Sequence, residues 1–446
     1  MRRLLPVVLL AACATAEPTT TTTAALGIVD PLSMPAKPTV ALDDVPSAET
    51  CKDCHPNQFA EWTGSRHAQS MTDPVFQGLV GVRQGAFHGV QDKFCVQCHT
   101  IAGVRSQDVS PGFKFADLKP KSMEGVTCWS CHGVQQIARL HNAGLTMAKD
   151  GAMRGNLPQP QTTNAHGTAE APFLKTPEFC GACHEVVELS GLPLERPYSE
   201  WLTSPAAAKG QTCADCHMPF YTGSAAEGAE PRVGLRSHRF VGLDPPGARE
   251  APSAELRAVY AAQRDALLAS AADLTIAPGT AQPGERLVVA VTVQNKIAGH
   301  SLPTGSTFIR QCWLEMRAVD ANGKVLYETG TLDANGDLRD RWSALAPYAD
   351  ADLVSFSSGF IDPVGQPTLF PWLAAEHHRN QLRPGEQRTY SLFVPVPKDV
   401  AAPIQLTARL RLRTYPPFLL KVLGLDALLP DVILADLATD ATAVNL

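Results

Sequence analysis

Residues 125–133 read GVTCWSCHG, and the pattern at their centre recurs along the chain. Two cysteines three positions apart are followed at once by a histidine (CxxCH), in copies that begin at Cys51, Cys95, Cys128, Cys180 and Cys213. On a helical turn, two thiols at this spacing lie beside the histidine that follows them. They can form thioethers with the two vinyl groups of one porphyrin while the histidine binds its iron. The pattern therefore predicts five covalently attached haem c groups.

Three other interpretations of paired cysteines compete with haem attachment: a disulfide framework, a zinc ribbon and a thioredoxin-like redox pair. Each of them leaves the histidine at its fixed offset unexplained. The predicted attachment residues are Cys51, Cys54, Cys95, Cys98, Cys128, Cys131, Cys180, Cys183, Cys213 and Cys216. The predicted proximal iron ligands are His55, His99, His132, His184 and His217.

Composition narrows the class of protein. The chain has 446 residues, 44% of them apolar and 18% charged, with a formal net charge of −6. Long apolar segments, heptads and collagen-like repeats are absent from the sequence, which excludes polytopic membrane, coiled-coil and collagenous proteins. The acidic balance argues against a nucleic-acid binder.

The N-terminal residues predict export. Arg2 and Arg3 precede an apolar run that ends in LAAC at residues 10–13, so residues 1–13 are predicted to be a leader ending at a lipobox. In this interpretation Cys13 is acylated and anchors the protein; the alternative is an ordinary secretory leader. Residues 14–46, rich in Thr, Pro and Ala, are predicted to form a flexible tether.

The remaining chain is predicted to be of mixed fold class. Residues 47–250 carry the five motifs, a density at which porphyrins form much of the core and regular structure is limited to short helices. Residues 251–273 predict a linking helix that starts near Ser253. From residue 274 to residue 446, alternating apolar residues and Asn-Gly turns predict an antiparallel β-sandwich, with Cys312 as a free thiol in its core.

Histidines outside the motifs are candidates for the sixth iron ligand. His67 follows His55 by twelve residues on a predicted helix, a separation of about 18 Å, so it suits a neighbouring haem better than its own. The same argument applies to His141, nine residues after His132. Methionines show no comparable local pattern, which favours bis-histidine coordination and therefore low reduction potentials.

Several stretches resemble multihaem cytochromes c. They are WTGSRHA after the first motif, GVTCWSCHG followed by His141, FLKTPEFCGACHEV, YSEWLTSPAAAKGQTCADCHMP and SHRFVG at His238. The similar families are the ammonia-oxidiser tetrahaem cytochrome, hydroxylamine oxidoreductase and the pentahaem nitrite reductase. NKIAGHSLPTG, which contains His300, is similar to bacterial cytochromes with a C-terminal β-domain.

This resemblance implies distal roles for His67, His141, His238 and His300, with either His166 or His88 as the fifth and His166 favoured. His377 and His378 are interpreted as a solvated surface pair. The active haem of the pentahaem nitrite reductase carries lysine in place of the motif histidine. All five motifs here end in histidine, which argues against ammonia-forming nitrite reduction.

The expected function is electron transfer along bis-histidine haems, with no catalytic residue assigned. Alternatives are a reductase or oxidoreductase acting on a small nitrogen or sulfur compound at a five-coordinate haem, and a structural subunit of a cytochrome assembly. The expected location is the periplasm or cell surface, with a lipid anchor in the outer membrane. Expected partners are other cytochromes, a porin-type conduit or a terminal reductase, and an oligomer is possible. The net charge falls to −8 when the leader carrying Arg2 and Arg3 is removed, which favours basic partner surfaces.

Overall fold

The structure, a computed structural model, describes residues 30, 32–89, 91–157, 160, 163–243 and 253–446. The region of the CxxCH motifs is built from short helices, as predicted. These are α1 (Pro56–Thr63), α2 (Pro74–Phe87), α3 (Lys93–His99), α4 (Ile101–Ser106), α5 (Pro120–Met123), α6 (Cys128–His132), α7 (Pro177–His184), α8 (Pro197–Leu202), α9 (Pro205–Ala208) and α10 (Cys213–His217). Several begin with proline, because its fixed φ and missing N–H suit the first helical position.

Two-stranded pairings connect these helices. The strands are β1 (Val134–Ile137), β2 (Leu145–Met147), β3 (Ala152–Gly155), β4 (Gly167–Glu170), β5 (Val186–Val187), β6 (Pro193–Glu195), β7 (Phe220–Gly223) and β8 (Arg232–Arg236). The β3–β4 pair is parallel, and the other three pairs are antiparallel. Buried apolar residues of this region form small separate clusters that surround a large cavity. Its packing is therefore incomplete without a group that fills that space.

A capped helix joins the two regions. Helix α11 (Ala254–Ala269) lies within the predicted linking segment, and the side chain of Ser253 accepts the backbone N–H of Leu256 at 3.3 Å. This contact is the N-cap that the sequence predicted. The first strand of the C-terminal region begins soon after the helix ends.

The C-terminal region consists mainly of antiparallel strands, as predicted. They are β9 (Ala272–Pro278), β10 (Arg286–Asn295), β11 (Gln311–Val319), β12 (Val325–Thr329), β13 (Val354–Ser355), β14 (Gly359–Ile361), β15 (Pro367–Thr368), β16 (Glu376–His378), β17 (Gln387–Pro395), β18 (Ile404–Arg413) and β19 (Leu434–Val444), with α12 at Pro417–Val422. One sheet has the order β17-β10-β9, and another has the order β12-β11-β18-β19 with β13 beside β11. Strands β14, β15 and β16 form a third, small sheet.

Both larger sheets bury alternate residues in one core. Leu287, Val289 and Val291 of β10 lie in the same cluster as Leu314 of β11 and Leu406 of β18, and each is fully buried. This alternation follows from the two-residue period of a strand. Cys312 lies in the same core with no exposed surface, and burial raises the pKa of its thiol. The prediction that this cysteine is an inert core thiol agrees with its position.

The flexible tether predicted for residues 14–46 is wrong over its C-terminal part. Met34, Leu42 and Val45 are buried, and they pack against apolar clusters of the motif region. The Thr- and Pro-rich composition of this segment does not indicate that these three apolar side chains pack against the folded region. The predicted leader and Cys13 lie outside the described residues. Among the helices that the structure describes, none is long and apolar enough to cross a membrane.

Candidate haem sites

All five motifs face one connected cavity of about 2960 Å³. The ten motif cysteines and the five motif histidines all line it. Four further histidines line it as well: His67, His166, His238 and His300. A pocket for one drug-sized ligand occupies about 300–1,000 Å³, so this cavity is large enough for several such groups.

Each of these four additional histidines lies opposite a different motif histidine. The ring centres are 6.4 Å apart for His55 and His166, 6.1 Å for His184 and His67, 6.3 Å for His132 and His238, and 6.3 Å for His217 and His300. The members of every pair come from distant parts of the sequence. The fold therefore brings together pairs of histidines that no local sequence motif contains.

The spacing of these pairs fits a metal ion held between two imidazoles. A metal–imidazole bond is about 2.0–2.1 Å long, and the ring centre lies about 1.1–1.2 Å behind the nitrogen, so two such bonds in line span about 6.3 Å. The cysteines and histidines present therefore fit haem c with histidine on both sides of the iron.

Backbone carbonyls orient most of these rings. The Nδ1 atoms of His55, His132 and His217 lie 2.7, 2.5 and 2.6 Å from carbonyl oxygens, and those of His238 and His300 lie at 3.0 and 2.9 Å. Because a carbonyl can only accept, each Nδ1 carries the hydrogen and donates it. This tautomer leaves Nε2 free to bind a metal, the usual arrangement of histidine ligands.

Burial favours the neutral form of six of the cavity histidines. It lowers the pKa of His67 to about 3 and those of His99, His238 and His300 to about 4, with smaller contributions from neighbouring histidines to most of these shifts. Burial also lowers the pKa values of His132 and His184. Neutral imidazole is the form that binds metals, so the environment suits ligation at physiological pH.

His99 differs from the other four motif histidines. Its Nδ1 donates to the carbonyl of Ser70 at 3.0 Å, so it is oriented like a ligand. The ring stacked against it is that of Phe76, with centres 3.8 Å apart and planes 4° apart. All thirteen histidines of the sequence lie in the described residues, and among them none faces His99 at the spacing of the four pairs. Sequence reasoning missed Phe76, since nothing marks it among the other aromatic residues.

Two predicted distal ligands lie elsewhere. His88 is exposed at the C-terminal end of α2, where it adopts a left-handed backbone with φ of 50°. His141 lies in the turn between β1 and β2, and burial and the neighbouring Arg139 lower its pKa. The prediction for His141 assumed a chain that runs on past His132, but the chain reverses in a hairpin and carries His141 away from the cavity wall. The structure thus places His166, rather than His88, opposite a motif histidine.

The surface pair predicted at His377 and His378 is wrong for its first member. His378 is exposed and contacts Glu376 at 2.8 Å. His377 is half-buried, donates from Nδ1 to the carbonyl of Pro193 at 2.9 Å and packs against Phe360. Strand alternation on β16 turns the two neighbours to opposite sides, which the sequence interpretation did not take into account.

Contacts between cysteines of different motifs give the spatial order of the motifs. The Cys51 thiol lies beside the Cys128 thiol, and this contact, which lowers the pKa of Cys51, brings the first motif next to the third. Cys131 of the third motif interacts electrostatically with Cys183 of the fourth. The fourth motif makes two further thiol contacts. Cys183 contacts Cys98 of the second motif, and Cys180 contacts Cys213 of the fifth. The motifs therefore run 1–3–4–5, and the second branches from the fourth.

The loop before β11 closes the fifth site from the C-terminal region. Its His300 faces His217, and the Ser301 N–H and the Thr304 hydroxyl donate to Glu200 of α8 at 3.1 and 2.5 Å. The backbone N–H of Ala206 donates to Ala298 at 3.1 Å. The C-terminal region is thus part of the site.

A capping box fixes the start of the third motif helix. The backbone N–H of Thr127 donates to the Ser130 hydroxyl at 3.0 Å, and the N–H of Ser130 donates back to the Thr127 hydroxyl at 3.4 Å. Replacing Thr127 with valine keeps the side-chain shape and removes this acceptor. We expect the free energy of unfolding to fall by about 1 kcal/mol in urea denaturation followed by circular dichroism. An unchanged midpoint would show that the cap contributes nothing.

Comparisons with known proteins find similarity in sequence and in fold. Residues 50–133, which contain the first three motifs, match the family model of cytochrome c554 and c-prime. The penta-heme cytochrome c552 from Thermochromatium tepidum has a similar structure, with 21% sequence identity and a TM-score of 0.62, covering 91% of this chain and 100% of that chain. The sporulation control protein Spo0M from Bacillus subtilis matches at a TM-score of 0.14 with 12% identity, over 39% of this chain and 48% of that one, too little to support any argument. No curated protein matches the sequence.

The likeness to the Thermochromatium protein shows a shared fold that extends over both regions of this chain. Residues 50–133 are therefore similar to cytochrome c554 and c-prime, and the chain shares the fold of a penta-heme cytochrome c.

Proposed function

We propose that this chain carries electrons along five covalently bound haem c groups, four of which are held between two histidines. The observation that carries the proposal is the set of four histidine pairs, 6.1–6.4 Å apart, around one connected cavity. The C-terminal region, proposed to be a β-sandwich, supplies one of these ligands through His300.

The haem irons would supply the electron exchange, and the polypeptide supplies position and environment. Carbonyl acceptors hold the imidazole rings in the tautomer that leaves Nε2 free. The cysteine contacts place motif 3 beside motif 1 and motif 4 beside motif 3. An electron path of this kind has three ends, at the first, second and fifth motifs, and it branches at the fourth.

The branch supports a second candidate function. His99 has Phe76 against its ring and, among the described residues, no histidine opposite it. An iron on His99 would then keep a position for a non-histidine ligand or for a small substrate. This favours an oxidoreductase acting on a small nitrogen or sulfur compound over a purely structural subunit.

Low-temperature electron paramagnetic resonance of the oxidised protein tests both ideas. We expect five haems per chain by pyridine haemochrome, four with low-spin signals typical of two histidines and one with a different signal. Five equivalent bis-histidine signals would contradict the assignment of His99. Fewer than five haems would contradict the proposed chain. A change of the fifth signal on adding nitrite, hydroxylamine or sulfite would favour the oxidoreductase.

Localisation and partners are proposed from the sequence. A leader followed by acylation of Cys13 would tether the protein to the outer membrane, in the periplasm or at the cell surface. The acidic chain, made more negative by haem propionates, suits a basic docking surface on another cytochrome, a porin-type conduit or a terminal reductase.

A further inference from the structure

A half-buried carboxylate, that of Glu195, lies beside the second motif. Glu195 is the last residue of β6 and lines the haem cavity. It lies close enough to both motif cysteines to interact with them electrostatically. Burial raises the pKa of the Cys95 thiol to about 11, and Glu195 adds to the shift. Glu195 also contributes to the raised pKa of Cys98, after its contact with Cys183 and burial.

One hydrogen bond and one cation favour the charged form of this carboxylate. The Ser306 hydroxyl, from the loop that also carries His300, donates a hydrogen bond to it. Arg310 is the nearby cation, and Glu185 adds negative charge from the end of α7. His377 contacts the backbone of Pro193, two residues before Glu195, and burial lowers the pKa of His377 to about 4, so it brings no positive charge at neutral pH.

We propose that Glu195 takes up a proton when the haem attached to Cys95 and Cys98 is reduced. One electron, delivered by a reduced partner cytochrome, converts ferric to ferrous iron. One proton from solvent converts the Glu195 carboxylate to the carboxylic acid, so the net charge of the site does not change. The inference rests on the proposed haem at the second motif and does not depend on what occupies its sixth position.

The physical reason is the cost of unbalanced charge in a poorly solvated place. Adding an electron near a carboxylate is equivalent to bringing a like charge close to it, which raises the pKa of the carboxylate. The interaction is stronger inside protein than in water because the effective dielectric constant is lower. Burial has already raised the pKa of Glu195 above its ordinary value, so a further rise on reduction brings it towards neutral pH.

Reduction potentials measured against pH test this coupling. In spectroelectrochemical titrations of the haem-loaded full chain between about pH 5.5 and 8.5, one component should become more negative as pH rises. If one proton is bound for each electron, the reduction potential of this component falls by at most about 59 mV for each pH unit. In Glu195→Gln, that component should lose its slope while the others keep theirs. An unchanged slope in this variant would assign the coupling to haem propionates and overturn the proposal.

Two further variants sharpen the test. Asp340→Asn is the matched control, because Asp340 is another half-buried carboxylate, lies outside the cavity lining and has a pKa that burial raises. It should leave the component altered by Glu195→Gln untouched. Ser306→Ala removes a hydrogen bond that favours the charged form of Glu195, so the pH range of the slope should move upward. This variant keeps the test decisive if Glu195→Gln does not fold, and an unmoved or lowered range would contradict the proposal.

A failure of this coupling can be told apart from a failure of the proposed function. The pyridine haemochrome assay of the same samples reports five haems whether or not Glu195 titrates. If five haems are present and the slope persists in Glu195→Gln, only the role of Glu195 is wrong. If a haem is missing because the second motif is not loaded, the proposed five-haem chain is wrong.

Discussion

Replacing His300 with glycine should convert one low-spin iron of this protein into a high-spin one. The ring of His300 lies 6.3 Å from that of His217, and its Nδ1 donates to the Ser301 carbonyl at 2.9 Å, which leaves Nε2 for the metal. Without this ring, no second histidine among the described residues faces His217. Electron paramagnetic resonance should therefore show one bis-histidine signal lost and a stoichiometric high-spin signal gained. Added imidazole, which fits the space left by the ring, should restore the low-spin spectrum.

Two matched variants make this result specific. His378→Gly removes an exposed histidine of the same C-terminal region, and His141→Gly removes a histidine that sequence reasoning assigned as a ligand. Neither ring lines the cavity, so both variants should keep the parental spectrum. A high-spin signal in His141→Gly, or an unchanged spectrum in His300→Gly, would show that the pairing of His217 with His300 is wrong.

The CxxCH motifs could be recognised in the sequence as candidate attachment sites because their chemistry is local. Two thiols and one imidazole within five residues define an attachment site wherever the chain goes, and the structure places all five motifs around one cavity. The helix capped by Ser253 and the antiparallel strands of the C-terminal region were predictable for the same reason. Each depends on periodicity or capping over a few residues.

The pairing of the histidines could be predicted only in part from the sequence. His67, His238 and His300 were singled out by their resemblance to known cytochromes, but their partners depend on how distant segments pack. His141 shows why helical spacing misleads. The segment after the third motif forms a hairpin, with positive φ of 50° and 52° at Asn142 and Ala143, and this turn carries the ring away.

Other features of the site have no local signal at all. Phe76 lies on the face of His99 because α2 packs across the second motif. Glu195 gains its importance only when β6 and the loop carrying Ser306 meet beside that motif. Long-range contacts of this kind decide which motif histidine faces a second histidine and which carboxylate lies beside a motif.

Replacing Arg83 with methionine should lower the free energy of unfolding by about 3–5 kcal/mol. The guanidinium of Arg83 contacts both carboxylate oxygens of Glu188, at 2.9 and 2.7 Å, and the exposed fractions of the two side chains are 2% and 4%. It also lies over the ring of Phe94, 4.5 Å from the ring centre. Methionine fills much of the same volume but leaves the carboxylate of Glu188 buried without its cation. The measurement is the urea midpoint, followed in the haem Soret band and by far-ultraviolet circular dichroism.

The double variant Arg83→Met/Glu188→Leu distinguishes the loss of a charge partner from the loss of packing. If the cost comes from the stranded carboxylate, removing Glu188 as well should recover most of the stability, because apolar side chains can replace a buried ion pair. Lys296→Met supplies the exposed comparison, since Lys296 and Asp273 lie 3.1 Å apart with 45% and 56% of their side chains exposed. That variant should cost less than about 1 kcal/mol. A double variant as unstable as Arg83→Met would instead attribute the effect to the aromatic contacts of Arg83, and the pair with Glu188 would then contribute little.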